Sequence, residues 1–469
     1  MNKHKHQAIK AGAWYTVSSF LIRGIGFITT PVFARLLTKA EFGLFNSFTS
    51  WLSIITIVVT LNLESTLISA RYDYEDDLDG YIFSMLSLST VSVIVWIAVV
   101  NCFQDFFSGF FNLHPVYINA MLLYLLFLPA VSLFQARERY LFEYKKTVAA
   151  SLFIAIGSSL LSVILVLVLP DRLLGRIIGY VLPTIVLGFV FYVYFFQKGK
   201  KINISYWKYA LPVCLPFIPH LLSLNVLNSM DKTMITRYCG AENNAIYSMA
   251  YTCGSMITLL MTSMNGAFAP WLGDKLNSND CSSVRKVSGL YILCFCFLSV
   301  GIMALAPEAL MVIGGEAYAE AKYVMTPIAM GCVCQFLYTL FVNVEQFRKK
   351  TGGMAVASIL AAGINYVLNY LLIPKYGYLA AAYTTLIGYL CLLIMHMFLV
   401  YRLGMKDVYN YKMIALTIVV MLGVMLLMNQ LYNHFLIRYL FVLIYCAILA
   451  AILVRNKAKI RQFIKGRSA

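Results

Sequence analysis

Apolar runs of about 20 residues, the length that crosses roughly 30 Å of hydrocarbon as a helix, recur along the whole chain. They lie near 11–36, 43–69, 81–103, 116–136, 148–169, 174–197 and 209–230, then near 244–269, 287–313, 323–344, 354–373, 377–401, 411–431 and 436–454. The sequence therefore predicts an all-α polytopic membrane protein with about 14 transmembrane helices. Composition agrees: 61% of residues are hydrophobic and 12% charged, too little polar surface to cover a soluble globule of 469 residues.

Charge placement orients the chain. With the N-terminus inside, 27 of the 37 Lys and Arg fall in inner segments and nine in outer loops, leaving Arg23 within a span. Both termini are expected on the cytoplasmic side. The net charge of +17 is then chiefly a topology signal with attraction to anionic lipid, and no nucleic-acid partner is expected. The eleven cysteines lie mostly inside spans and form no disulfide framework or metal-ligand pattern. No "GxxxxGK[ST]" loop is present and the connectors are short, so no nucleotide cofactor is expected and no enzymatic constellation is apparent.

The segment "TVSSFLIRGIGFITTPV" from 16 places Thr16, Ser19, Arg23, Gly26 and Thr30 on one helical face and Phe20, Leu21, Ile28 and Val32 on the other. Arg23 thus turns from lipid toward protein or a wet space, roughly 18 Å above the inner end of its span. A repeat follows. "ARLLTKAEFGLF" from 34 is echoed by "TRYCGAENNAIY" from 236, pairing Arg35 with Arg237, Gly43 with Ala245 and Phe45 with Tyr247 at an offset of 202. "KKT" at 145 and 349 precede Pro170 and Pro374 by the same interval, at an offset of 204. The echoes predict an N-lobe at 1–203, a parallel C-lobe at 204–405 and two accessory helices with a basic tail at 406–469.

"FITTPVFARLLTKAEFGLFNSF" and "NSMDKTMITRYCGAENNAIYSMAY" resemble the polysaccharide exporter branch of the multidrug, oligosaccharidyl-lipid and polysaccharide exporter superfamily, which includes the Wzx-type flippases. Arg35, Gly43, Asp231, Arg237 and Tyr247 carry the signature, with Ala245 where a glycine is usual. The resemblance implies two six-helix lobes around a central cation-lined cavity. It implies alternating access that turns an undecaprenyl-diphosphate-linked glycan from the cytoplasmic to the outer face of a bacterial cell membrane. It also implies membrane lipids and glycan-assembly proteins, such as a polymerase, as partners. Drug or ion antiport, or another lipid-linked cell-wall precursor, is the alternative.

A diphosphate cargo needs cationic and donor groups at membrane depth. Arg23 supplies a phosphate fork, and the repeat assigns Asn225 as its counterpart in the second lobe. Asn225 and Asn228, and Ser358, Asn365 and Asn369, form polar stripes suited to sugar hydroxyls or to hydrogen bonds between helices. Glu64 falls on a face with Ser50, Ser53 and Thr60 and reads as the only carboxylate well inside a span. It either neutralises Arg23 or Arg71 or titrates for ion or proton coupling. His220, directly after Pro219 and four residues from Pro216 where the helix must bend, is either a structural histidine or a second coupling group.

Overall fold

The computed structural model of the protein describes residues 18, 21–22, 24–141, 143–199, 201–348 and 352–455. Arg23, the N-terminal basic segment and the second "KKT" lie outside the described residues. Among the described residues there are helices and no strands. Eleven helices have spanning length and composition, or twelve with one bent pair, and shorter apolar helices at Gly24–Leu36 and Phe435–Ile448 stand where the first and fourteenth spans are expected. The expected fourteen thus becomes eleven or twelve helices of spanning length and composition among the described residues.

The helices form two packed units. The first gathers the chain up to Met249 together with Ile313–Gly315 and Gly352–Gly388. It contains α1 (Gly24–Leu36), α2 (Lys39–Val59), α3 (Leu67–Asp73), α4 (Leu78–Cys102), α5 (Gln104–Phe111), α6 (Pro115–Tyr140) and α7 (Tyr144–Val168). It also holds α8 (Arg172–Gly199), α9 (Ile204–Cys214) and α10 (Phe217–Cys239). The start of α11 (Ala241–Asn277), α15 (Gly352–Tyr376) and the first half of α16 (Tyr378–Arg402) complete it.

Small residues set its helix crossings. A Cβ at Gly179 would overlap Ser162, so α7 and α8 approach as closely as glycine allows. Leu21, Ile28 and Val32 are exposed, as the lipid face of the first span requires. Thr38 and Glu41 form a capping box at the start of α2, with Glu41 N–H donating to Thr38 Oγ1 at 3.2 Å and Thr38 N–H to Glu41 Oε2 at 2.7 Å. The glutamate of the repeated connector is therefore helix-start chemistry.

Two breaks matter for function. The expected span 43–69 is not one helix: α2 ends at Val59, and Leu61 (φ 58°) and Asn62 (φ 48°) take left-handed backbone before a 3₁₀ turn at Leu63–Thr66. Asn tolerates that region and Leu does not, so packing rather than propensity imposes the turn. Second, α9 and α10 meet at 53°. Pro216 is the N-cap of α10 and Pro219 lies in its first turn, where no intrahelical amide is required, leaving Pro212 as the interior proline of α9. Below this bend α9 is fastened to α3 and α4. Tyr206 Oη donates to Asp77 at 2.8 Å, Tyr209 Oη to Asp73 at 2.5 Å and Trp207 Nε1 to Ser84 O at 2.8 Å.

The second unit holds the rest of α11, α12 (Cys281–Ala304), α13 (Ala306–Ile313), α14 (Lys322–Phe347), the end of α16, α17 (Tyr411–Leu431) and α18 (Phe435–Arg455). Its core helix is α14, joined to α12 by the stacked Phe295 and Phe336 rings at 4.1 Å and to α17 by Thr326 Oγ1 on Asn429 at 2.6 Å. Arg438 of α18 grips Glu308 of α13 at 2.5 and 2.7 Å, and Tyr439 adds a bond at 2.7 Å. Arg438, foremost, holds the Glu308 carboxyl below its ordinary 4.5. A carboxyl depressed on folding adds stability above its unfolded pKa and loses it as pH falls through the folded value. Acidification from neutral to below about pH 4 should therefore lower the unfolding temperature less in Arg438→Met than in the native protein, a difference read by thermal scanning in detergent.

Candidate functional site

The densest buried polar group lies in the first unit around Asp231. Residue 231 sits eight positions before the end of α10, well inside the span, and is 1% exposed. Tyr247 from α11 donates its phenol to Oδ2 at 2.7 Å. Asn369 from α15 donates Nδ2 to Oδ1 at 2.6 Å and to Asn365 Oδ1 at 3.2 Å, the two amides sharing a face at a spacing of four. Thr385 of α16 donates to Oδ2, and Thr384 to Asn369 Oδ1. Asn365, Asn369, Tyr247 and Thr384 are fully buried. Gly388 keeps α16 close, since a Cβ there would lie 3.1 Å from Leu227 and 3.3 Å from Asn365.

Three helices thus deliver one donor each to the carboxylate of a fourth. Such a group is stable while its lone pairs are met and costly if one is stripped. Its oxygens, with those of Asn365, Asn369, Thr384 and Thr385, are a hard-donor set able to hold a proton or a small cation.

Closer to the junction of α10 with α11 than Asp231, a seam joins α2 to α11. Asn244 Nδ2 donates to Gly43 O at 2.8 Å and to Thr236 Oγ1 at 2.9 Å, and Ser248 donates to Asn244 Oδ1 at 3.0 Å. A Cβ at Gly43 would strike the Ala241 carbonyl. Deeper, Ser53 of α2 meets Ser229 of α10 at 3.3 Å.

The expected site residues separate in the structure. Asn365 and Asn369 face Asp231 and neighbouring threonines, with no surface open to a sugar. Asn225 and Asn228 are partly buried on α10 and donate to the Leu221 and Leu224 carbonyls of their own helix at 3.1 and 2.7 Å. Glu64 leaves the stripe of Ser50, Ser53 and Thr60 because the chain breaks between them. Arg71 does not pair with Glu64. It donates to Tyr72 Oη at 2.5 Å and lies over the Tyr72 and Tyr140 rings. His220 sits just past the bend, and its Nδ1 has no hydrogen-bond partner. Arg35 and Arg172 line one open cavity of about 380 Å³, whereas Arg237 lines a different one near Trp51.

Two features escape sequence reasoning. Glu64 is not the only carboxylate to count, since Asp231 lies well inside α10 and is 1% exposed, whereas Glu64 falls in the 3₁₀ turn after α2. Arg176, four residues into α8, is drawn inward between the Phe33 and Phe45 rings at 3.7 and 4.2 Å and donates to Ser162 Oγ at 2.6 Å. The aromatic at position 45 was the available signal.

The fold is shared with known transporters. The structure of the lipid II flippase MurJ in an inward closed conformation superposes with a TM-score of 0.69 over 95% of this chain and 99% of that one, at 14% identity. An inward-facing multidrug resistance MATE transporter gives 0.60 over 82% and 94%, also at 14% identity. These likenesses show a shared all-α fold. A protein of the Lsg locus of Haemophilus influenzae is 21% identical over 383 residues, 77% of this chain and 90% of its own length. The family model described as polysaccharide biosynthesis protein matches residues 8–275, and the MatE model matches 216–371. The first match spans more than half of the chain, and the chain belongs to the polysaccharide biosynthesis protein family, within the multidrug, oligosaccharidyl-lipid and polysaccharide exporter superfamily.

Proposed function

We propose that the protein turns undecaprenyl-diphosphate-linked oligosaccharide units from the cytoplasmic to the outer face of a bacterial cell membrane, supplying capsule, O-antigen or exopolysaccharide assembly. The observation that carries this reading is the polysaccharide biosynthesis match across residues 8–275. The fold shared with a lipid II flippase supports it. The lobes at 1–203 and 204–405 alternate in access, with both termini in the cytoplasm. Arg23 holds diphosphate oxygens, while Asn225 and Asn228, whose amides are bonded within their own helix, exchange those bonds for sugar hydroxyls. Outward movement of each negative charge across an inside-negative membrane is favourable by about 2.3 kcal/mol per 100 mV. Asp231 provides the coupling step by taking up a proton or a small cation.

Cells lacking the protein are expected to trap lipid-linked oligosaccharide in the cytoplasmic leaflet. Arg23→Ala should fail to restore outer-leaflet delivery at unchanged membrane abundance. Normal delivery in the deletion strain, measured by accessibility of the glycan to an external glycosidase, would remove the proposed function.

A second reading, drug or ion antiport, is favoured by the MatE match over 216–371 and by the buried carboxylate. It predicts raised drug sensitivity in the deletion strain with glycan delivery intact.

A further inference from the structure

One cleft of the first unit takes no part in the Asp231 network. Trp51 and Ile55 of α2, Trp96 of α4 and Leu222 of α10 wall it, Phe110 and Phe111 of α5 roof it, and it encloses about 270 Å³ with wholly apolar lining. Trp51, Phe110 and Phe111 also border a smaller space of about 100 Å³, where Thr233 and Arg237 bring polar groups. Arg237 is exposed and forms no ion pair among the described residues. Trp51 Nε1 donates to Phe111 O at 3.1 Å, which pins the roof to α2. The roof helix turns Phe103, Phe106 and Phe110 outward, 63%, 66% and 44% exposed, as an aromatic element at a membrane interface does.

An apolar hollow of this kind repels water and, in a bilayer, takes a hydrocarbon chain. Its volume holds part of a single chain, not the paired chains of a phospholipid. An unpaired guanidinium at its polar end suits a phosphate oxygen. We propose that this cleft binds the polyprenyl carrier, with the head-proximal isoprene units between α2, α4 and α10 and the phosphate at Arg237. The choice of lipid rests on the function proposed above, while the site rests on the cleft itself.

The test uses the full-length protein in phosphatidylethanolamine nanodiscs with undecaprenyl phosphate as probe, retention being read by native mass spectrometry. The native protein should retain one molecule. Arg237→Gln and Ile55→Trp should each reduce retention about tenfold, and Arg237→Lys should recover most of it. Leu222→Trp fills the cleft from the opposite wall and should match Ile55→Trp, so that loss in one variant through misfolding does not decide the result.

Displacement of the probe by equimolar phosphatidylglycerol, or unchanged retention in both wall variants, would overturn the proposal. Displacement by inorganic phosphate alone would reduce the site to an anion contact and overturn it too. Retention without glycan translocation would remove the proposed function and leave the site. Translocation with retention indifferent to both wall variants would do the reverse.

Discussion

Asp231→Leu should lower stability by roughly 3–9 kcal/mol and abolish transport, because it strips the partner from three buried donors at about 1–3 kcal/mol each. Tyr247, Asn369 and Thr385 reach the carboxylate from three other helices, so the loss is felt at one point of four-helix contact. Asp231→Asn separates the two roles. It keeps the shape and one acceptor, so the protein should still assemble with a smaller fall in unfolding temperature. It cannot take up a proton or a cation as a carboxylate does, and delivery of lipid-linked glycan should still fail. Thermal unfolding in detergent and a leaflet assay on the same preparations check both statements. A fully active Asp231→Asn protein would show that the acid is a clamp and not a coupling group.

The second large effect is expected at Gly43. Any Cβ at that position enters the Ala241 carbonyl, which cannot move without displacing the first turn of α11. Gly43→Val should therefore destabilise the protein by about 1–3 kcal/mol, the usual cost of overfilling a close contact. Asn244→Ala removes the hydrogen bond to Gly43 O and leaves the backbones where they are, so its effect should be nearer 1 kcal/mol. A disulfide trapped between cysteines placed at the starts of α2 and α11 should form readily in the native protein and poorly in Gly43→Val. Equal cross-linking in both would show that the seam tolerates a side chain.

Much of the fold is legible in the sequence because lipid imposes a length and a polarity on every span. The bend near His220 is legible too, since two prolines three apart admit few alternatives to a helix start. Asn365 and Asn369 show where legibility ends. A polar pair four residues apart looks the same whether it faces a hydrated space or a buried acid, and the acid lies 138 positions from Asn369 in the chain. Asp231 reads as a signature position, but its role as a hub depends on a threonine 154 residues away. The turn at Leu61 carries no local signal, since leucine has no preference for left-handed backbone. Arg176 is a cation near a helix end, a pattern that ordinarily marks a loop, and two rings and a serine hydroxyl hold it inside.

The joint between α9 and α10 has a mechanical consequence. The lower segment is bolted to α3 and α4 by three aromatic side chains, while the upper one is held by the acid hub. A rod anchored at both ends cannot swing as a whole. Whatever tilt the upper segment undergoes must be absorbed in the few peptide units around Leu215 and Pro216, like an elbow whose forearm is fixed to the bench.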